Sequence, residues 1–285
     1  MISILKKIAD KNFPRLARRL RFSLETWRFS KDFQQPADKV KSGYWFSGRS
    51  AMSQGYYEPV ETEIITRILP HVDVFINVGA NIGYYVCLAL STGKRVIAFE
   101  PIEQNLQFLC KNITDNGWEE RAEIFPIALT SKAGIINIYG GVGGASIVKN
   151  FGNISENHVR FVPASTLDNI IGARFSNETS LLLIDVDGAE AEMIRGADSF
   201  LRRQKKPIVF LEITTEFFHD GRNAEESKIS IFDYLWSLGY ESWTVEANMK
   251  KIDRTDLSGG GVNKSVYNFL FMDSATRTRI FSSLQ

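Results

Sequence analysis

Cysteine is scarce: Cys87 and Cys110 are the only two in the chain. That is too few for a disulfide framework, and no Cys or His cluster has the spacing of a zinc site. The default is a reducing compartment, with both thiols filling the core. Long apolar runs are also lacking; stretches such as residues 86–90 fall far short of the roughly 20 residues that cross a bilayer. With only 8 Pro and 21 Gly, and 44% hydrophobic and 24% charged residues, the chain is neither collagen-like nor disordered and can bury a full-sized core. Charge of one sign does not dominate: 34 Lys and Arg face 33 Asp and Glu. Nothing in the net charge calls for nucleic acid or a strongly acidic partner.

That neutrality is unevenly spread. Residues 1–31 hold nine bases against Asp10 and Glu25, a net of +7, which leaves −6 for the rest of the +1 chain. The bases interrupt every apolar run, so no secretory signal forms there. Without one, the glycosylation-like triplets at 112–114 and 177–179 are chance matches. The expected location is cytoplasmic. Ile4, Leu5, Ile8, Leu16, Leu20, Leu24 and Trp27 recur at near-helical intervals, broken at Pro14. Two readings are open: helices that cover the neighbouring domain, or a surface lying on the inner face of an anionic membrane. Residues 32–60 are irregular and aromatic, and read as a loop packed over a site. The domain expectation is an arm and aromatic loop over 1–55 and a main domain over 56–285.

Strand and helix patterns then alternate. Strands are expected at 72–78, 95–100, 122–127, 181–186 and 207–213, with helices at 82–92, 103–115, 189–203 and 227–238. Such alternation builds an α/β parallel sheet with helices on both faces. A period-two run at 135–139, the glycines of 140–144 (a mobile loop or hairpin tip) and a strand near 159–162 interrupt it. Strands at 240–246 and 266–273 are expected to close the sheet as an antiparallel edge hairpin.

The segment from Phe75 to Gly83 reads as a buried strand, a glycine turn and a helix. Ligands of open α/β sheets collect at the carboxyl ends of strands, where this turn lies. Gly79 would let a ligand approach the backbone, and Gly83 would let the helix sit close to the sheet. Counting from Gly79, a dinucleotide fingerprint would need glycines where Asn81 and Tyr84 stand, and the phosphate-cradling Gly-Lys-Ser/Thr is absent. At the end of the next strand Glu100 is placed to accept the hydroxyls of a ribose, though an acid at a helix start needs no ligand to explain it.

A second constellation runs from Leu182 to Glu190. Asp185 and Asp187 fall on the same side of a strand, at its carboxyl end. Asp187 with Glu190 also resembles a capping box for the next helix, whereas a carboxylate at Asp185 inside an apolar strand needs a partner. Three acids in six residues do not make a metal site, and no metal is expected. Glu212 and His219, from the next parallel unit, are candidate general bases.

These stretches together resemble the FkbM-type family of S-adenosylmethionine-dependent methyltransferases. The match is carried by VFINVGANIGYYVCLAL (74–90), VIAFEPIEQNLQFLCKNI (96–113), FPIALTSKAGIINIY (125–139), GGAS (143–146), STLDNI (165–170), LLLIDVDGAEAEMIRGA (181–197) and PIVFLEI (207–213). The resemblance implies a Rossmann-like class I methyltransferase fold with a seven-stranded, mostly parallel sheet, here preceded by the N-terminal helical arm. It implies S-adenosyl-L-methionine as cofactor, with Asn77, Gly79, Asn81 and Gly83 at its methionine part, Glu100 at its ribose, Ala128 at its adenine and Asp185 near the sulfonium. The catalytic candidates are Asp185, Asp187, Glu212 and His219. It further implies O-methylation, with a sugar hydroxyl of a glycan or glycolipid as the acceptor. The alternatives are a lipid or polyketide hydroxyl at the membrane surface, or a cofactor-binding module without turnover. Asn77, Leu183 and Asp187 depart from the family's usual aspartate, lysine and glutamate, and the acid after the Ala-Leu pair is missing at 130–132. The aromatics of 43–57 suit a sugar ring.

Overall fold

The computed structural model describes residues 29–48, 50–141, 144–149, 159–213, 224–258, 262–263 and 265–281. The basic arm through residue 28, His219 and the glycines at 259–261 lie outside the described residues.

In chain order the strands are β1 (Asp38–Lys39), β2 (Trp45–Phe46), β3 (Val74–Val78), β4 (Arg95–Phe99), β5 (Ala122–Phe125), β6 (Ala128–Leu129), β7 (Gly134–Gly141), β8 (Gly144–Ser146), β9 (Val159–Ser165), β10 (Ser180–Ile184), β11 (Ile208–Glu212), β12 (Glu241–Thr244), β13 (Lys251–Ile252) and β14 (Asn268–Met272). The main sheet runs β13-β12-β14-β11-β10-β3-β4-β5. Its β5, β4, β3, β10 and β11 are mutually parallel. Every residue of β3 and β10 is buried, as expected of central strands covered on both faces.

The closing strands β12 and β14 pair antiparallel with each other at this end of the sheet, as expected. β14 is inserted between β11 and β12 and runs antiparallel to both, so β12 returns to the direction of the first five. β13 then adds an eighth, two-residue edge strand.

One face of the sheet is covered by the helices Pro59–Ile68, Tyr84–Ser91 and Glu103–Thr114, and the other by Glu190–Arg195, Asp198–Leu201 and Ala224–Ser237. The expected helix over 189–203 is two helices. Gly196 packs so closely against Thr130 that a Cβ there would stand 2.0 Å from the Thr130 carbonyl oxygen, and the chain turns at that contact. The second helix is capped from a distance: Asp168 accepts from the backbone N–H groups of Ser199 and Phe200, both at 2.8 Å. Asp168→Ala strips two orphan donors of their acceptor. It should cost about 1–2 kcal/mol, seen in thermal unfolding as a midpoint lower by about 2–8 °C.

The region from 128 to 165 forms its own sheet, β6-β9-β7-β8. Alternation turns Ile138, Val162 and Ala164 inward, onto Ile102 and Ala128. This small sheet stands over the carboxyl ends of β4 and β5.

The aromatic loop is mostly core. Tyr44, Phe46 and Met52 are buried with Ile65 and Tyr84 under the helices. Asn112 holds the loop with reciprocal bonds to Ser47 (2.6 and 3.0 Å), and Asn116 does the same for Trp45 (2.8 and 2.7 Å). The two thiols also part company: Cys87 is buried, but Cys110 is exposed on its helix.

Candidate active site

A cavity enclosing about 740 Å³, its open mouth included, lies across the carboxyl ends of β10, β3, β4 and β5 under the small sheet. Strand order sets the order of its surfaces: Asp185, Val186 and Asp187 after β10, then Gly79 and Asn81 after β3. Glu100, Ile102 and Asn105 follow after β4, then Ile127 and Ala128 after β5, with Ile138, Ala145 and Ile147 from the small sheet. Three inter-strand steps span about 14 Å. The wall is acidic at one end, carboxylate-bearing in the middle and apolar at the other.

Glu100 is 4% exposed. Its Oε2 accepts from the Asn81 N–H (2.8 Å), and its Oε1 from the Ile102 N–H (2.8 Å) and from Asn105 Nδ2 (3.3 Å). Burial pushes its carboxyl up to about 7, against the pull of these three donors. A carboxylate offers about four acceptor positions, so Glu100 keeps room for a ligand hydroxyl. Asn105 lies on the same wall, 5% exposed, and its Oδ1 is buried with no hydrogen-bond partner among the described residues.

Asn81 takes a left-handed backbone, φ 50°, and its Oδ1 accepts from the Ile82 N–H (2.9 Å). Gly79 adopts φ +84° for a reason other than ligand approach: a Cβ there would lie 1.8 Å from the Asp185 carbonyl oxygen. The glycine lets the ends of β3 and β10 close on each other. Gly83 brings two helices together, since its Cβ would meet Leu109 Cδ1 at 2.6 Å.

Asp185 is half-buried at the cavity's acidic end. Its carboxyl is pushed well above the usual range, first by burial and then by Glu212, Asp187, Glu58 and Glu190. Asp187 does not cap the following helix, whose N-cap is Ala189 with no side-chain bond. It sits at φ 45°, and the Ala145 backbone donates to its carboxyl while burial raises its pKa. Ser146 Oγ donates to the Asp187 carbonyl. Glu190, 4% exposed, instead accepts from the Gly188 N–H (2.7 Å) in the turn before the helix, and burial pushes it up to about 7.

The structure thus gathers Gly79, Asn81, Glu100, Ala128, Asp185 and Asp187 on one wall, with Glu212 beside Asp185. Asn77 is not on that wall. It is buried on the β3 face shared with Phe75, its Nδ2 without a partner among the described residues. Gly83 is off the wall too, and no described residue of 43–57 lines the cavity. Three contributors carry no sequence signal beyond an ordinary helix pattern: Asn105, Ile102 and Glu58. Glu58 precedes Pro59 in a left-handed conformation (φ 42°) and accepts from Tyr85 Oη at 2.6 Å. Burial raises its carboxyl, against the Tyr85 bond.

The cavity wall holds three carboxylates and no Lys or Arg among the described residues. A cationic group at the acidic end and hydroxyls over Glu100 complement it, with a flat apolar ring against Ile102, Ala128 and Ile138. The residues therefore fit S-adenosylmethionine. Among the described residues no group of three or more His, Cys, Asp or Glu is arranged to hold a metal.

Comparison with known proteins bears on which family built this cavity. The methyltransferase FkbM domain matches residues 77–242, more than half of the chain. No curated protein matches in sequence. Among solved structures, the chain is similar to the methyltransferase FkbM from Methylobacillus flagellatus KT, at 15% identity and TM-score 0.45, over 79% of this chain and 56% of that one. It is also similar to precorrin-6y C5,15-methyltransferase from Geobacter metallireducens GS-15, at 12% identity and TM-score 0.43, over 85% and 100% of the two chains. The chain thus spans 56% of the length of the M. flagellatus protein. The domain match runs from the end of β3 to the start of β12, taking in the loops that line the cavity, and by it the chain belongs to the FkbM methyltransferase family.

Proposed function

We propose that the chain is an S-adenosylmethionine-dependent O-methyltransferase whose acceptor is a sugar hydroxyl in a glycan or glycolipid. The observation that carries the cofactor half is the graded wall: acids at Asp185 and Asp187, a hydroxyl acceptor at Glu100, an apolar slot at Ile102, Ala128 and Ile138. When bound, the cofactor supplies a methyl group activated by a positive sulfur. Glu100 and Asn105 would hold its ribose, and the turn at Gly79 and Asn81 would orient its amino-acid end. The small sheet excludes water from above.

The acceptor half rests on the family's precedent for sugar hydroxyls and on Asp185. A hydroxyl that is methylated must lose its proton, and a carboxylate whose pKa is raised by burial and by Glu212 is a stronger proton acceptor than an exposed one. The aromatic loop lends this half no support, since its rings are core or off the wall.

The test is calorimetric titration with S-adenosylhomocysteine and, in parallel, with NAD. One-site binding of the first alone is expected, and no binding by folded protein would end the reading. Glu100→Gln should weaken that binding by about tenfold to a hundredfold, the worth of hydrogen bonds to a charged acceptor. The pH dependence follows from its raised pKa. Glu100 is protonated below about 7, and ligand hydroxyls favour its ionised form. Affinity should therefore climb as pH rises through about 7 and level off above it, and Glu100→Gln should flatten that climb. Labelled methyl transfer to a panel of free and lipid-linked sugars then tests the acceptor; tight binding without transfer to any hydroxyl would mark a module without turnover.

A further inference from the structure

The small sheet has two apolar faces, and only the inner one belongs to the cavity. Register pairs Ile135 with Pro163, Asn137 with Phe161 and Tyr139 with Val159, and alternation points all six side chains outward. None is charged and five are apolar or aromatic. Ile135 is 77% exposed and Phe161 76%. A sheet with one solvated face ordinarily turns polar residues outward, and contiguous exposed apolar surface marks a contact site.

We propose that this outer face of β7 and β9 docks on the interfacial region of an anionic lipid bilayer. Charge favours that occupant. Residues 131–165 contain Lys132, Lys149 and Arg160 against Glu156 alone, a net of +2, while residues 32–285 as a whole carry −6. An anionic surface therefore attracts this segment while it repels the body as a whole. The basic segment enters the described structure close by. Phe29 packs on Phe108 of the Glu103–Thr114 helix, with ring centroids 5.5 Å apart. One turn away on that helix, Gln104 Oε1 accepts from Arg160 Nη1 of β9 at 2.7 Å. Inserted apolar side chains and a polybasic segment with a net of +7 are the two signals that together hold a protein on a membrane. Docked so, the sheet that meets lipid on one side walls the cavity on the other through Ile138, Ala145 and Ile147. The proposal does not depend on the chemistry in that cavity.

The test is co-sedimentation of the full chain with phosphatidylcholine vesicles, with and without phosphatidylglycerol, at low and high salt. Binding to the anionic vesicles alone is expected, weakened by salt. The double variant Ile135→Ser with Phe161→Ser should lower the partition coefficient about tenfold or more, with an unchanged circular dichroism spectrum. The single variants carry the same test if the double one fails to fold. Absence of vesicle binding, or undiminished binding by the variants, overturns the proposal. So does light scattering that shows a wild-type dimer which the variants break, since a second copy of the chain would then cover this face.

Discussion

Asp185→Asn should lower methyl transfer by about 10²–10⁴-fold, the range for losing a positioned general base, while raising the thermal stability of the ligand-free protein. Both effects come from one feature. Burial and four neighbouring carboxyl groups, Glu212, Asp187, Glu58 and Glu190, oppose a negative charge on Asp185. A carboxyl whose pKa is raised on folding binds its proton more tightly in the folded chain, so its contribution to stability is full at low pH. That contribution falls as pH rises from the ordinary carboxylate range through the folded pKa, and stays lost above it. The neutral amide does not titrate. The melting curves of the two proteins should therefore lie closest in mild acid and separate towards neutral pH, with the variant higher. Saturating cofactor keeps weakened binding from passing for slow chemistry. Near-normal turnover would sink the proton-acceptor role, and melting midpoints that do not separate with pH would sink the electrostatic account.

Glu100 and Glu190 obey the same linkage. Each is pushed up to about 7 by burial, from an ordinary value near 4.5. A shift of that size costs about 3 kcal/mol of stability above pH 7 per group. A methyltransferase that binds a cation and a diol across this wall recovers part of that cost on binding. On the proposed cofactor reading, Glu100 is kept at that cost for the ligand it holds, a common trade between stability and function.

How far the sequence carries this reading depends on the length of the signal. The parallel strands β3, β4, β10 and β11 are legible because each is a short, largely buried run with a helix-period pattern after it, and Val74–Val78 and Ser180–Ile184 are buried throughout. The carboxyl-end rule then located Gly79, Glu100 and Asp185 without any contact information. What stayed hidden depends on contacts between distant segments. Gly196 splits a helix because Thr130 lies against it, and Asp168 caps that helix's second half from 31 residues upstream. The insertion of β14 beside β11 is set by pairing, which periodicity does not encode. Asn105 shares its spacing with any polar helix position, and its lone Oδ1 is visible only once the cavity is built. The aromatic loop misled for a related reason: a buried Tyr44 or Phe46 and a sugar-stacking ring have the same composition.

Gly79→Ala should be severely damaging for a single added methyl. Gly79 and Ala80 both donate to the Phe99 carbonyl at 3.0 Å on one side, and a Cβ would lie 1.8 Å from the Asp185 carbonyl oxygen on the other. Neither neighbour is a side-chain end that can swing away; each is backbone at the end of a central strand. Gly93 isolates the cause. It has nearly the same backbone angle, φ +83° against +84°, but nothing stands within 4 Å of its Cβ position. Gly93→Ala therefore measures the left-handed conformation alone, about 1–2 kcal/mol. Gly83→Ala should fall between, because its obstacle is the movable Leu109 Cδ1 at 2.6 Å. Gly79→Ala should exceed Gly93→Ala by at least about 2 kcal/mol in denaturant unfolding, near the large end for point substitutions. It should also abolish S-adenosylhomocysteine binding in whatever protein remains folded, since relief of the clash parts Asp185 from the turn that faces it. Equal stability of the Gly79 and Gly93 variants would mean that β3 and β10 can separate freely, and the acidic end of the cavity would then lose the fixed geometry on which Asp185's role depends.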